Sequence, residues 1–352
     1  MSVLAAIAVL ALLIIVHELG HFAAARFQGI RVNRFSIGFG PSLIKYRGTE
    51  TEYAIRAFPL GGYVGFPDDD LDGEIPLDDP NLLRNRPVFD RAIVISAGVI
   101  ANLILAYFLL VAQVATVGIQ DIQSGLVVPT IEPASAAMEA GMKSGDIVLK
   151  VDNTPLDDFP KAIDFFIETI QNSPNQPLHF TIERDSETLS VTVTPKSNDQ
   201  GQGKIGVGLI PNIHLKKSQG LLDAFTYSAD AFQDLVTLTA KGFWQLVSNF
   251  QENAKQVAGP VKIVEYGANI AQNNAGNLFQ FGALISINLA IVNILPLPAL
   301  DGGQLIFLIV EGLRGKPLPN RLQEGIMQTG LVLLLSLGLF LVVRDTVELV
   351  FF

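Results

Sequence analysis

The residue types best suited to chemistry are gathered in the segment HELGH, residues 17–21, at the end of an apolar run. His17 and His21 are four residues apart, so on a helix both imidazoles lie on one face and can bind a single Zn²⁺. Glu18 follows His17 directly and lies close enough to act on a water molecule held by that ion. Because ionisable side chains in an apolar span are costly and usually functional, the pattern predicts a zinc site. The alternative is a chance match, with these side chains capping a span at the membrane interface.

A catalytic zinc ion takes three protein ligands and a water molecule, so a third ligand is needed. The chain has no cysteine, and its other histidines are His179, in a predicted strand, and His214, in a polar loop. The orientation derived below puts both across the membrane from HELGH, which leaves a carboxylate. Asp301 directly follows a stretch of 35 uncharged residues and is the predicted third ligand. The alternative is that Asp301 caps a helix that begins near Gly302.

Two of the amide side chains within the apolar stretches are predicted to contact substrate. Asn293 precedes Asp301 by eight residues, and its amide is predicted to contact substrate and to share in stabilising the oxyanion. Asn102 is also a predicted substrate contact, although amides in spans commonly make interhelical hydrogen bonds and nothing else.

The elements that hold these residues are predicted to be membrane spans. Of the 352 residues, 49% are apolar and only 16% are charged, against about a quarter charged in a typical soluble protein. Asp, Glu, Lys and Arg are absent from residues 1–16, 92–120, 266–300 and 325–343. Each stretch supplies the roughly 20 apolar residues that cross a bilayer, the first when residues 17–25 are included. We therefore expect a polytopic α-helical membrane protein with about four transmembrane helices, the first retained and not cleaved as a signal peptide.

The distribution of basic residues predicts the orientation in the lipid bilayer. Nine Lys and Arg residues lie between the first two predicted spans and three between the last two, whereas residues 117–142 have none. By the positive-inside rule the first and last loops are cytoplasmic, and the active site faces the cytoplasmic side of the membrane. The middle segment and both termini are then extracytoplasmic. The net charge of −10 argues against nucleic acid as a partner.

The chain divides into four predicted parts. Residues 1–121 form an N-terminal membrane part that includes a membrane-associated β-hairpin over residues 42–58. A free strand edge of this hairpin is predicted to pair with the substrate backbone, and the alternative is a plain cytoplasmic hairpin. Residues 266–352 form a C-terminal membrane part. Residues 122–198 show two alternating strands, LHFTIER and TLSVTVTP, and a helix over 159–170. The pattern PASAA, AGM, GDIV and VDN there resembles a circularly permuted bacterial PDZ domain, which makes this part an inserted α+β domain. Residues 199–265 are a predicted linker with amphipathic helices, which lie at the membrane interface or pack on the PDZ-like domain.

The whole pattern resembles the site-2 protease family of intramembrane zinc metalloproteases, in its bacterial form with a single PDZ domain. The resemblance rests on HELGH in the first span and on NILPLPALDGG, residues 293–303, in a later one. GFGP at 38–41, PLGGYV at 59–64 and GPVKI at 259–263 extend it over nearly the whole chain.

The family resemblance implies a role for each candidate residue. His17, His21 and Asp301 bind Zn²⁺, Glu18 is the general base and acid, and Asn293 contacts the substrate backbone. It also implies cleavage of single-span membrane protein substrates, such as anti-sigma factors or remnant signal peptides, in a bacterial inner (plasma) membrane. The PDZ-like domain would either bind substrate C-termini or restrict substrate access.

Two positions depart from the family pattern. Gln304 stands where the family often has His, and Gly98-Val99 stands where many members have Gly-Pro ahead of Asn102. Neither change removes a predicted ligand or the predicted base. The main alternative function is a non-proteolytic PDZ membrane scaffold or chaperone with a structural metal. A transporter is disfavoured, because the two halves show no inverted repeat.

Overall fold

The computed structural model describes residues 2–67, 75–76, 78–157, 161–198, 200–218, 220–253, 257–273 and 275–351. The chain forms two compact units, the first from Met1–Val117 with Ser218–Phe352 and the second from Gly118–Lys217. The first unit carries these helices: α1 (Ser2–Phe27), α2 (Val88–Thr116), α5 (Leu221–Ser248), α6 (Phe250–Asn253), α7 (Pro260–Asn273), α8 (Leu278–Ile294), α9 (Asp301–Arg314) and α10 (Asn320–Phe351). The second unit carries the short helices α3 (Ala136–Glu139) and α4 (Lys161–Gln171).

Three helices in the described part of the chain are long and apolar enough to cross a membrane: Ser2–Phe27, Val88–Thr116 and Asn320–Leu349. The predicted span over 266–300 is not one continuous helix. It is divided between the end of α7, a 3₁₀ turn over Ala275–Asn277 and α8, a mostly apolar helix of 17 residues. At 1.5 Å per residue, α8 is about 26 Å long, close to the lower limit for a span. The protein thus contains several apolar helices suited to a membrane, and the count of four spans stays a prediction.

Helix α2 is the centre of the first unit, because it packs against α1, α5, α8 and α9. Its contact with α8 includes the fully buried Ala106, Ala283 and Ile287, which form one apolar cluster with Leu110. Small residues at such positions let helix backbones approach closely. Helix α2 therefore helps to position side chains on α1, α8 and α9 relative to one another.

Helix α5 supplies the amphipathic element predicted in the linker. Its apolar face, which includes Phe232 and Leu235, packs onto the cluster shared by α2 and α8. Asp230, Asp234 and Lys241 are exposed and, at 100° per residue, lie on the opposite side of the helix. The amphipathic pattern identifies a buried face but not the surface that covers it, and the location of this helix at the membrane interface stays a prediction.

The first unit also contains a small sheet built from two bent strands, β1 (Arg34–Arg47) and β2 (Glu52–Gly65). Residues 42–47 pair with 52–56 in opposite directions, which is the predicted hairpin. Residues 34–37 pair in addition with 52–55 and, on their other side, with 62–65. Among the described residues, 62–65 pair with no other strand, so they form an edge of this sheet. Association of the hairpin with a membrane stays a prediction.

The second unit is built on one antiparallel sheet in the order β10-β3-β4-β6-β7, with β5 paired to β4 and a separate pair β8-β9. The strands are β3 (Ile119–Val127), β4 (Ile147–Val151), β5 (Thr154–Pro155), β6 (Leu178–Arg184), β7 (Glu187–Val193), β8 (Lys196–Ser197), β9 (Gly203–Lys204) and β10 (Ile210–Lys216).

Helix α4 stands where a helix over 159–170 was predicted, with residues 159–160 outside the described part. The compact unit is wider than the predicted domain of 122–198, because β10 pairs with β3. The four predicted domain limits stay predictions.

Candidate metal centre

Helix α1 presents its two histidines to one point. The rings of His17 and His21 have centroids 4.8 Å apart and meet edge to face. Their Nε2 atoms are 3.2 Å apart. The i,i+4 spacing in HELGH produces this geometry, because residues four apart are stacked on one helix face.

Asp301 reaches the same point from a different element. It is the first residue of α9, after a turn in which Ala299 adopts a left-handed φ of 68°. Its Oδ2 atom lies 3.4 Å from His17 Nε2 and 3.5 Å from His21 Nε2. Leu300 is the N-cap residue of α9 and makes no side-chain cap hydrogen bond. The alternative prediction required Asp301 to be the N-cap residue of this helix, and it is not.

The three ligand atoms fit a zinc ion in spacing and in chemistry. A tetrahedral Zn²⁺ binds nitrogen and oxygen at about 2.0–2.1 Å, which places two ligand atoms about 3.4 Å apart. The observed separations of 3.2, 3.4 and 3.5 Å between the three ligand atoms match this distance. Asp301 Oδ2 is buried and accepts no hydrogen bond, although a buried carboxylate oxygen needs a partner. Two imidazoles and one carboxylate leave a fourth position open, as catalytic zinc sites do.

Helix α2 forms the wall behind the two histidines. The backbone carbonyl of Val94 accepts a hydrogen bond from His21 Nδ1 at 2.8 Å, which leaves Nε2 of that ring as the metal-binding nitrogen. A Cβ atom on Gly98 would lie 2.4 Å from His21 Nε2 and 2.7 Å from His17 Cε1. Only glycine leaves room here for both rings. One turn further along, the carboxamide of Asn102 lies 3.3 Å from His17 Nδ1.

Glu18 projects from α1 into a cavity of about 710 Å³ that the metal-binding group also lines. The edge strand passes close beside it, since a Cβ atom on Gly62 would lie 2.8 Å from Glu18 Cγ. Arg91 of α2 and Glu311 of α9 form an ion pair in the wall of the same cavity. This pair ties α9, and so the helix that begins at Asp301, to α2.

The structure gathers most of the predicted site residues around this cavity. His17, His21 and Asp301 form a group whose ligand atoms could hold a metal ion. Glu18 and Asn293 line the cavity with them.

Asn102 lies in the described part of the chain but behind His17, outside the cavity lining. Gln304, the departure from the family pattern, lines the cavity. His179 and His214 belong to the second unit.

Sequence reasoning missed Gly98, the Val94 carbonyl and the edge strand at 62–65. Gly98 matches the family pattern that Val99 departs from, and PLGGYV matches a family segment, but neither match indicates a structural role. A glycine four residues before a buried amide in a span was the available signal for close helix contact.

Comparisons with known proteins agree with the chemistry of this centre. The model of Peptidase family M50 matches residues 5–337. A protein of Synechocystis sp. (strain ATCC 27184 / PCC 6803 / Kazusa), provisionally named a zinc metalloprotease, is 65% identical over 100% of this chain and 96% of its own length. Membrane metalloprotease ARASP, chloroplastic, from Arabidopsis thaliana is 48% identical over 99% of this chain and 80% of its own.

A solved PDZ domain, that of the SdrC-like protein Lmo2051 from Listeria monocytogenes, aligns with 26% of this chain and 94% of its own. The identity is 14% and the TM-score 0.23. At that score the PDZ fold of residues 122–198 stays a prediction.

Replacing Asp301 by Ala should abolish stoichiometric zinc binding, because two imidazoles alone hold Zn²⁺ weakly. Purified wild-type protein should carry about one Zn²⁺ per chain by elemental analysis. The control is His179→Ala, which removes an exposed imidazole of the second unit and should leave zinc content unchanged. Full zinc occupancy in Asp301→Ala would refute the assignment of the third ligand.

The Gly98→Ala variant should lose zinc although it changes no ligand. The added Cβ cannot coexist with both imidazoles, so one ring must leave the position in which its Nε2 faces the other. We expect zinc affinity, measured by competition with a chelator, to fall at least about tenfold, the scale of disturbed support for a ligand. Gly338→Ala is the matched control, because a Cβ on that helical glycine meets nothing within 4 Å. Unchanged affinity in Gly98→Ala would contradict the packing described here.

Proposed function

The chain belongs to peptidase family M50, the site-2 protease family, and on that premise we propose that His17, His21 and Asp301 hold its catalytic zinc and that Glu18 transfers the proton. The protein is a zinc-dependent intramembrane metalloprotease. One observation carries the assignment of residues. Two imidazole nitrogens and an otherwise unpartnered carboxylate oxygen converge within 3.5 Å beside a second carboxylate, in a cavity lined by the C-terminal half of the apolar helix α1.

The chemistry divides between the ion and the side chains around it. When bound, zinc acts as a Lewis acid that lowers the pKa of a water molecule to about 7 and polarises a carbonyl group. The Glu18 carboxylate accepts a proton from the attacking water and delivers it to the nitrogen of the leaving amide. The Asn293 amide, in the cavity wall, donates a hydrogen bond to the substrate backbone or to the developing oxyanion.

A transmembrane substrate must also be held in an extended form, because a helical backbone has no free groups to present. The edge formed by residues 62–65 is suited to this task. Gly62, Tyr63 and Val64 line the cavity, and their outer edge has no strand partner in the described part of the chain. An unwound substrate can add to this edge as a further strand, which fixes its backbone beside Glu18. The proposed edge lies outside the predicted hairpin of 42–58.

The substrates that we propose are membrane proteins with a single span, such as anti-sigma factors or remnant signal peptides. The proposed location is a bacterial inner (plasma) membrane, with both termini and the second unit on the extracytoplasmic side. The support is the excess of Lys and Arg in the loops after α1 and after α9. The second unit would then meet the extracytoplasmic part of a substrate, either to bind its C-terminus or to restrict access.

Glu18→Gln should separate proteolysis from the rival role as a scaffold. The amide keeps the size of the side chain but cannot shuttle a proton, so cleavage of a single-span reporter should fall at least about a hundredfold. Zinc content and reporter binding should persist. Glu324→Gln removes an exposed carboxylate that lines the same cavity and should cleave normally. Undiminished cleavage by Glu18→Gln would show that the reaction does not occur at this centre.

The proposed orientation can be tested with single cysteines, since the natural chain has none. A membrane-impermeant thiol reagent applied to intact cells should label Ser186→Cys, in the second unit, and leave Thr49→Cys unlabelled. Both positions should react after the membrane is permeabilised, and the cysteine-free chain should give the background. Labelling of Thr49→Cys alone in intact cells would reverse the orientation.

A further inference from the structure

The carboxamide of Asn102 is one of the most enclosed polar groups in the described part of the chain. Its residue is 0% exposed, although its position in an apolar helix offers little polar compensation. Its Nδ2 atom lies 3.3 Å from His17 Nδ1, while its Oδ1 atom is buried and has no hydrogen-bond partner. A buried amide oxygen without a donor is destabilising, because it has lost its hydrogen bonds to water and gained none. Oδ1 therefore needs a hydrogen-bond donor.

Zinc binding supplies that donor. A neutral imidazole that binds a metal through Nε2 carries its proton on Nδ1 and donates there. The Nε2 atom of His17 faces the other ligands, so Nδ1 becomes an N–H group that points at Asn102. The Nδ2 amide group is also a donor, and two donors cannot bond. A half-turn of the carboxamide exchanges Nδ2 for Oδ1, so that Oδ1 accepts a hydrogen bond from His17 Nδ1.

We propose that Asn102 is a positioning residue for the metal centre, whose Oδ1 accepts a hydrogen bond from His17 Nδ1 and fixes the tautomer that presents Nε2 to zinc. The proposal rests on the zinc site proposed above. It replaces the predicted role of Asn102 as a substrate contact. Ligating histidines commonly have such a partner, and its loss costs 10–100-fold in metal affinity.

The arrangement on α2 supports this role, because the other histidine is held in the same way. His21 Nδ1 donates to the Val94 carbonyl at 2.8 Å. Val94, Gly98 and Asn102 are spaced four residues apart, so they lie on one face of α2. The two outer residues of this face each serve one Nδ1 atom, and Gly98 between them gives both rings room. One helix face thus orients both zinc-binding rings.

Asn102 is itself held in place by a third helix. The hydroxyl of Ser286, on α8, donates to the backbone carbonyl of Asn102 at 2.8 Å. Ser286 is also 0% exposed, so this hydrogen bond is shielded from water. A partner that is fixed from behind keeps the ring of His17 from rotating between metal-binding and non-binding orientations.

The direction of the hydrogen bond gives the test its sharpest variant. Asn102→Asp keeps an acceptor at this position and removes the donor, whereas Asn102→Leu has a similar shape and removes both. In detergent-solubilised protein, zinc affinity measured by competition with a chromophoric chelator should fall 10–100-fold in Asn102→Leu. Asn102→Asp should hold zinc at least as tightly as the wild type, because a carboxylate is a stronger acceptor for an imidazole N–H.

The matched control is Gln113→Leu. Gln113 is another buried amide of α2 that bonds across to a different segment, through Gln280 at 3.3 Å, but it is not part of the metal centre. Its loss should leave zinc affinity unchanged, so a general effect of deleting a buried amide from α2 is separated from the effect at His17.

The outcomes distinguish this inference from the zinc site on which it rests. Zinc affinity in Asn102→Leu equal to that of the wild type, with only reporter cleavage impaired, would restore the substrate-contact role and overturn the proposal. A loss of affinity in Asn102→Asp equal to that in Asn102→Leu would show that the amide acts as a donor and would also overturn it. Failure of the zinc site itself would be seen separately. Either the wild-type protein would lack stoichiometric zinc, or the Asp301→Ala variant would retain it.

Discussion

The close approach of α1 to α2 at Gly98 is the constraint on which the metal centre depends. Both imidazoles occupy the volume that any side chain at this position would fill. The rings are thus confined between two helices, and their Nε2 atoms lie 3.2 Å apart. Rotamer freedom is lost when the helices pack, so less entropy remains to be lost when zinc binds. The metal affinity of this protein is to that extent a property of helix packing.

The third ligand faces a different problem, because it comes from an element remote in the chain. Asp301 follows a turn that includes the left-handed Ala299, a conformation that is unfavourable for a residue with a side chain. The ion pair between Arg91 and Glu311 anchors the rest of α9 to α2. Such a partly buried pair contributes little net stability, because desolvation offsets the attraction, but it fixes which surfaces meet. Helix α2 therefore sets the position of all three ligands.

The sequence was sufficient to identify the residues that converge, but not the surroundings that make them converge. HELGH is a local pattern, and helix periodicity alone puts both histidines on one face. Asp301 was found by exclusion and by its place after an apolar stretch. The Val94 carbonyl and the space at Gly98 depend on which face α2 turns towards α1, and a continuous apolar helix does not encode that face. The edge at 62–65 depends on the order in which the bent strands pair. The amphipathic sequence of α5 indicates that one face of the helix is covered, but not which surface covers it.

The pairing of β3 with β10 has a consequence for how the second unit is inserted. These strands are the first and last of the unit, and Ile119 is paired with Lys216. Closing a flexible loop of about 100 residues would cost roughly 4 kcal/mol of chain entropy. Here the fold of the inserted unit brings its own ends together, about 5 Å apart as in any antiparallel pair. To the helices on either side, the insertion is then equivalent to a short connector. A region of this kind can be exchanged, enlarged or duplicated in evolution without a change in the helices that build the catalytic centre.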